Sequence, residues 1–363
     1  MKRILPICLL AAALSGCIPE QQSHIVAVQG PALTRAVSNN AVAGFAGADG
    51  FHLLSFMGLA GGRGWQNVVS EAWHLPPGSE TWQRLPDVPG GEGRLAGTAA
   101  TVAGDVYVFG GYTVAEDGSE RSVAKVYRLD TDELTWHELE PMPVPVDDAV
   151  SVVYLDRYVY LVSGWHDLGN VNLVQVFDVE EQTWRQATPW PGEAVFGHAG
   201  GMVGNRMLVC DGVAVRLADN GSRRFETVDA CYLGEIDADD IRRIHWQSVP
   251  PHPGSARYRI AATGAATHDG EIVFAGGTDN PYNYDGTGYD GNVAKASAEV
   301  FAWRFAEHRW LSYGRLPSAT MDHRGLLANA STFYIVGGMV DSENLEDGAE
   351  PVLSSLVHEF TLQ

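Results

Sequence analysis

Apolar and polar residues alternate in short runs along most of this chain, and the runs end in small residues. "DVYVFGGY" (Asp105–Tyr112) is the clearest case, an alternating segment closed by Gly-Gly. "EIVFAGGT" (Glu271–Thr278) and "TFYIVGGM" (Thr332–Met339) repeat it. "YVYLVSGW" (Tyr158–Trp165), "RMLVCDGV" (Arg206–Val213) and "LLSFMGLAGG" (Leu53–Gly62) are weaker copies. A period of two predicts β-strands, and no long stretch carries the 3.6-residue apolar period of a helix.

A second element follows each run: an aromatic strand, a polar turn, a Trp and an exit containing Pro. "VYRLDTDELTWHELEPMP" (Val126–Pro143), "VFDVEEQTWRQATPWP" (Val176–Pro191) and "VFAWRFAEHRWLSYGRLP" (Val300–Pro317) show it, as does "EAWHLPPGSETWQRLPDVP" (Glu71–Pro89). In the fourth unit it is stretched, with Cys231-Tyr232 and then Trp246. The closing small residues fall at 111, 164, 212, 277 and 338, so the unit spans 48 to 65 residues and polar loops absorb the variation.

Four short strands joined by turns make one twisted sheet, which cannot bury both faces alone and must stack on copies of itself. Radial stacking gives a β-propeller, with Gly-Gly where sheets crowd and aromatic side chains filling the gaps between them. Six Gly-type strands are present but only five Trp strands, at Trp82, Trp136, Trp184, Trp246 and Trp310. After Gly338 the chain reaches "LVHEFTLQ" (Leu356–Gln363), one strand short, while "HIVAVQGPALTRAVSNNA" (His24–Ala41) reads as an exit strand followed by the next entry. Residues 24–29 are therefore expected to complete the last sheet and remove the exposed edges of an open array. The expected fold is all-β, a six-bladed propeller closed by an N-terminal strand.

The hydrophobic strand, the Gly-Gly, and the Tyr and Trp at a fixed offset resemble the kelch repeat, from about residue 24 to the end. The resemblance carries the fold but not a single function, because propellers of this kind host many.

In such a blade the loop between the second and third strands shares a face with the link to the next blade. The long, polar segments fall there: Gly58–Ser70, Tyr112–Ala124, Trp165–Val174, Val213–Val228, Thr278–Ala298 and Met339–Ser355. The links bring Arg35, Arg94, Asp147, Asp148, His198, Arg257, Tyr258, Asp322, His323 and Arg324 to the channel rim on that face, where function is expected. His198 and His323 occupy equivalent places, as do Arg94 and Arg257; each can meet a ligand or bond a neighbouring blade. Arg257 beside Tyr258 suits a carboxylate or a sugar face. The fifth blade's loop offers Tyr282, Tyr284 and Tyr289 as stacking surfaces, and its Asp279, Asn280, Asp285 and Asp290 are oxygen donors without the spacing of an EF-hand. No cofactor or metal is expected.

Composition and charge set the surroundings. The chain has 363 residues, 45% hydrophobic, enough for a large core. Lys2 and Arg3, an apolar run from Ile4 to Leu14, and "LSGC" (Leu14–Cys17) resemble a bacterial lipoprotein leader. That implies a signal peptide over 1–16, lipidation of Cys17, a tether over 17–23 and the propeller over 24–363. Ile18 at the second mature position implies the outer membrane of a Gram-negative cell, with the protein facing the periplasm. Losing Lys2 and Arg3 moves the formal charge from −21 to −23, which repels phosphate backbones and argues against nucleic acid. Cys210 and Cys231 are the cysteines left for the fold; an oxidising compartment permits a disulfide between them, and two separate thiols are the alternative.

Among exported kelch proteins the chain is similar to the N-acetylneuraminate epimerases, or sialic acid mutarotases, most closely in "IVFAGGTDNPYNYDGTGYDG" and "STFYIVGGMVD". The resemblance implies anomer exchange by an acid/base Glu while an Arg holds the sugar carboxylate. The Glu position falls on Val213 and the Arg near Thr227, leaving Arg216, Arg223, Arg224 and Glu226 in the same loop as substitutes, Arg224 and Glu226 being the candidates for catalysis. Galactose oxidase, another kelch relative, needs copper-binding His and Tyr, and no comparable His spacing is present. Two readings stand: a small-carbohydrate site on the long-loop face, or an interaction module gripping another envelope protein.

Overall fold

Strand pairing follows chain order in the second to fifth repeats. In the second unit Thr98–Val102, Asp105–Phe109, Val126–Asp130 and Thr135–Glu138 form one antiparallel four-stranded sheet. The third unit pairs Val150–Tyr154, Tyr158–Val162, Val174–Asp178 and Thr183–Gln186 in the same way. The fourth runs from Ala199–Val203 to Ile244–Val249 and the fifth from Ala261–Ala265 to Arg309–Thr320. In the first unit Val37–Ser38 extends the sheet by pairing with the end of Gly50–Ala60. This computed structural model describes residues 24–265, 270–341 and 351–363. The leader, Cys17 and the tether lie outside them.

The sixth sheet takes three strands from the end of the chain and its outermost from the beginning. Ile25–Gln29 lies antiparallel to Val357–Leu362, in register from Ile25 opposite Leu362 to Gln29 opposite His358. The architecture is thus the expected six-bladed β-propeller, closed by its N-terminal strand.

Stacking of the blades explains the apolar pattern. Among the described residues, six buried clusters each fill the space between two neighbouring blades. Between the second and third blades Phe109, Leu161 and Phe177 are buried, with the Trp184 ring 4.9 Å from that of Phe177. Replacing a ring such as Phe177 by Ala is expected to cost about 3–5 kcal/mol.

The recurrent Trp and Pro have a shared task. Each indole N–H donates to a carbonyl in the exit of the preceding blade: Trp136 to Pro86 at 2.9 Å, Trp184 to Glu140 at 3.0 Å, Trp310 to Pro250 at 2.8 Å. Trp82 of the first blade does the same to Pro31, which follows the closing strand, at 2.9 Å. Trp246, in the stretched unit, reaches Thr188 at 3.4 Å.

The Gly-Gly pairs mark close backbone approaches. A Cβ on Gly110 would stand 2.4 Å from the carbonyl oxygen of Val146 in the next link, and one on Gly111 would stand 2.6 Å from that of Leu95 in its own. Ser163 and Asp211 replace the first glycine in the third and fourth blades and turn this crowding into bonds. Ser163 Oγ donates to Val195 O at 2.9 Å, and Asp211 Oδ2 accepts from the Arg257 backbone N–H at 2.8 Å.

Candidate functional site

The link to each blade passes one residue with left-handed backbone at the mouth of the central channel. These are Asn39 (φ 56°), Ala96 (54°), Asp148 (50°), Gly197 (62°), Arg259 (50°) and Asp322 (71°). A hydrogen-bonded ring runs through them. The N–H of Ala96 donates to Asn39 O at 3.2 Å, Asp148 to Ala96 at 3.0 Å, Gly197 to Asp148 at 3.0 Å and Arg259 to Gly197 at 2.8 Å. His323 N–H donates to Arg259 O at 3.0 Å, and Asn39 Nδ2 closes the circle on Asp322 Oδ2 at 2.8 Å. Non-glycine residues held in this region are costly, and their concentration around one opening is a mark of a functional site.

Their side chains form a buried ionic quartet. Arg259 donates to Asp148 at 2.8 Å and to Asp322 at 3.2 Å. Arg324 pairs with the same two carboxylates at 2.9 and 3.3 Å and also bonds Asn39. Two positive and two negative groups thus cancel in a setting where all four side chains are at least 97% buried. The Arg259 guanidinium also lies 4.7 Å from the Tyr258 ring centre and 5.1 Å from that of Tyr282, as a cation over two π faces. Burial opposes its charge, but Asp148, Tyr258 and Asp322 outweigh it and hold its pKa above the ordinary value. Among the described residues, neither the Tyr258 hydroxyl nor the Arg259 Nε, both buried, has a hydrogen-bond partner.

Above the quartet lies a pocket of about 190 Å³. Its aromatic walls are Tyr112, Trp165, Phe196, Phe225, Tyr284 and Tyr289; its polar lining is Glu120, Asp147, Asp148, Arg223, Arg259 and Asn283. The long loops supply most of it. Where the sequence suggested plain loops, the structure has small hairpins, such as Tyr112–Val114 with Glu120–Ser122 and Val213–Leu217 with Arg223–Thr227. The fifth blade's loop folds over from the far side, and its Tyr289 stacks on Phe225 with ring centres 3.8 Å apart. Asp147 accepts a hydrogen bond from Ser122 Oγ at 2.7 Å. Its burial, then the neighbouring Asp148 charge, push its pKa well up. Enclosure by the pocket walls also raises the pKa of Glu120 at the exposed rim, against the pull of Arg259. A second cavity of about 260 Å³ is the channel itself, lined largely by small residues of the innermost strands.

The residues singled out in the sequence scatter relative to this pocket. Tyr284 lines it, Tyr258 and Tyr282 lie under Arg259, and Arg324 belongs to the quartet. Arg257 instead pairs with Glu299 at 2.5 Å and approaches Asp279 at 3.9 Å. Arg94 donates to Gly110 O at 2.7 Å and lies over the Tyr127 ring, and burial lowers its pKa to about 10. His198 donates from Nε2 to Val162 O of the preceding blade, and burial depresses its pKa to about 4. His323 bonds Thr320 Oγ1, with its pKa pushed down to about 3 by burial and by His358. Asn280 bonds Asp290, whose Oδ1 also caps a turn by accepting from the Asn292 N–H.

The period of two within the fourth blade's hairpin decides between its candidates. Arg223 and Phe225 face the pocket, and Arg224 and Glu226 therefore project from the opposite face, where Glu226 pairs with Arg216 at 2.7 Å. Val213 is fully buried among Phe196, Tyr258 and Tyr282. Cys210 and Cys231, directly opposite on adjacent strands, are joined by a disulfide at the base of this hairpin.

Arg259, the centre of the quartet, escaped the sequence reading although it follows Tyr258. Aligning the six links on the residue that turns left-handed would have placed Arg259 with Asp148 and Asp322. Glu120, Trp165, Arg223 and Phe225 carry no comparable signal, because they sit in hairpins of unequal length.

A six-bladed propeller with a pocket over its channel mouth defines the class of protein. Residues 51–277 match the KLHDC2/KLHL20/DRC7 Kelch-repeats domain, and the chain belongs to the kelch-repeat family. It is similar to Kelch-like protein terF of Aspergillus terreus, 29% identical over 58% of this chain and 44% of that protein. Kelch domain-containing protein 3 of Bos taurus is 25% identical over 59% of this chain and 57% of its own. Kelch-like protein 15 of Gallus gallus is 31% identical over 31% of this chain and 23% of its own. The chain thus spans less than two thirds of the length of these relatives. The solved structure of YjhT superposes with a TM-score of 0.69 at 17% identity, covering 92% of this chain and 99% of that one, a likeness of fold.

Proposed function

We propose that this kelch propeller binds a small carbohydrate in the pocket over its channel mouth, on an envelope protein anchored through Cys17. The observation that supports the binding reading is the pocket's makeup. Flat aromatic walls and fixed polar groups, Arg259 among them, suit a ligand with apolar ring faces and hydroxyl oxygens. Anomer exchange is not part of the proposal. Val213, at the position the mutarotase resemblance gives to an acid/base Glu, is a buried alkyl group, and Glu226 lies on the other face of the hairpin. The test is NMR of the purified protein with a panel of neutral, acidic and amino hexoses, following protein shifts and α/β exchange of the sugar. Shifts that vanish in Phe225→Ala and Tyr289→Ala are expected, without faster exchange. An absence of shifts across the panel would remove the reading.

A second reading, docking of another envelope protein, draws on one observation. Trp65, Leu168, Leu217, Tyr289 and Val352 are exposed large apolar side chains carried by different loops of this same face. Retained binding of a partner after Leu168→Ser and Leu217→Ser would argue against it.

A further inference from the structure

We infer that the ligand of this pocket is an amino sugar, a carbohydrate bearing a protonated amine; the inference rests on the carbohydrate reading above. Charge matching is the first ground. Arg259 and Arg324 are satisfied by Asp148 and Asp322 within the quartet, so neither offers a free cation to an incoming carboxylate. What remains on the pocket wall is Glu120 and Asp147 against Arg223. Arg223 is exposed at the rim, as Glu120 is; it lies 5.7 Å over the Trp165 ring and reaches toward Leu168 O at 3.5 Å, so carboxyls outnumber guanidinium groups there. Asp167 adds a further negative group beside them, accepting from the Ser122 N–H at 2.7 Å.

The walls are the second ground. Electron-rich ring faces attract ammonium groups as well as sugar C–H faces, and enclosure strengthens that attraction. Tyr284 and Trp165 line the same space as Asp147 and Glu120. The third ground is Arg259 itself, which lines the floor with its charge already held by Asp148 and Asp322 and so suits a neutral acceptor such as a hydroxyl oxygen. A ligand with an amine at one end and hydroxyls at the other meets all three demands. An anionic sugar finds no such partner: Glu120 and Asp147 are carboxyls whose pKa burial already raises, and an added anion opposes their ionisation further, within a chain of formal charge −21.

Calorimetric titration of the purified protein with glucosamine, glucose, N-acetylglucosamine and N-acetylneuraminate, at a pH where the amine is charged, tests this. Glucosamine is expected to bind about tenfold tighter than glucose or N-acetylglucosamine, a preference that salt weakens. Glu120→Gln and Asp147→Asn should each bring the ratio of glucosamine to glucose affinity toward unity, with thermal unfolding confirming that both variants are folded. Equal affinities for the neutral sugars and glucosamine, or tightest binding of N-acetylneuraminate, would overturn the amine inference and leave carbohydrate binding standing. Failure of all four to bind would remove both.

Discussion

Arg259 and Asp148 meet at 2.8 Å across the channel mouth, although 111 residues separate them in the chain. Both hold left-handed backbone at equivalent points of the fifth and third blades, and Asp322 of the sixth completes the contact. An ion pair so enclosed contributes little when whole, but removing one partner strands the others. Arg259→Met should therefore destabilise the fold by about 3–5 kcal/mol. Arg259→Lys should recover only part of this, because a point charge cannot bridge two carboxylates as a planar fork does. Urea denaturation measures both; a loss below about 1 kcal/mol for the Met variant would refute the role given to the quartet.

Two buried histidines make stability depend on pH. Burial lowers the pKa of His198 to about 4 and that of His323 to about 3, against an unfolded value near ~6.5. Between these limits the unfolded chain binds protons that the folded chain does not, so stability rises with pH across that window and falls as the solution is acidified. His198 alone accounts for about 3 kcal/mol between pH 6.5 and 4. Unfolding midpoints over that range should show the decline, and His198→Asn should flatten it; an unchanged slope in the variant would exclude His198 as a source.

The fold was legible because its determinants are local and repeated. Alternation marked the strands, Gly-Gly marked the places where blades touch, and the unmatched strand at Ile25–Gln29 revealed the closure. The pocket was legible only in part. Tyr258, Tyr282 and Tyr284 could be picked out by type, yet Arg257 and Arg94 proved to bond Glu299 and Gly110 instead. Side chains one position apart on a strand face opposite ways, which separates Arg224 from Arg223, while Arg257 and Arg259, two positions apart, are separated by the left-handed turn of the link at Arg259. That turn is set by contacts with other blades, and composition carries no trace of it.

The disulfide between Cys210 and Cys231 joins residues 21 positions apart and encloses the hairpin bearing Arg223 and Phe225. Its loss frees that loop in the unfolded chain and loosens one pocket wall. The double substitution Cys210→Ala, Cys231→Ala should cost about 3 kcal/mol. Hydrogen exchange should speed up first in Val213–Leu217 and Arg223–Thr227. Uniform exchange across the blade would show that the hairpin is held by its neighbours instead.

Ring closure makes the first strand a determinant of the whole. Deleting residues 24–30 would remove the strand paired with Val357–Leu362 and leave that strand as an open edge. Open edges recruit other chains, so light scattering should detect self-association together with a lower unfolding midpoint. Trp82→Phe tests the same junction more gently, since it deletes only the N–H that reaches Pro31. A cost of about 0.5–1.5 kcal/mol is expected. The matching change Trp136→Phe, which breaks the bond to Pro86 within the ring, should cost a similar amount. If the deletion leaves a monomer of unchanged stability, the sixth blade does not depend on the N-terminal strand and the ring is held by its other five junctions.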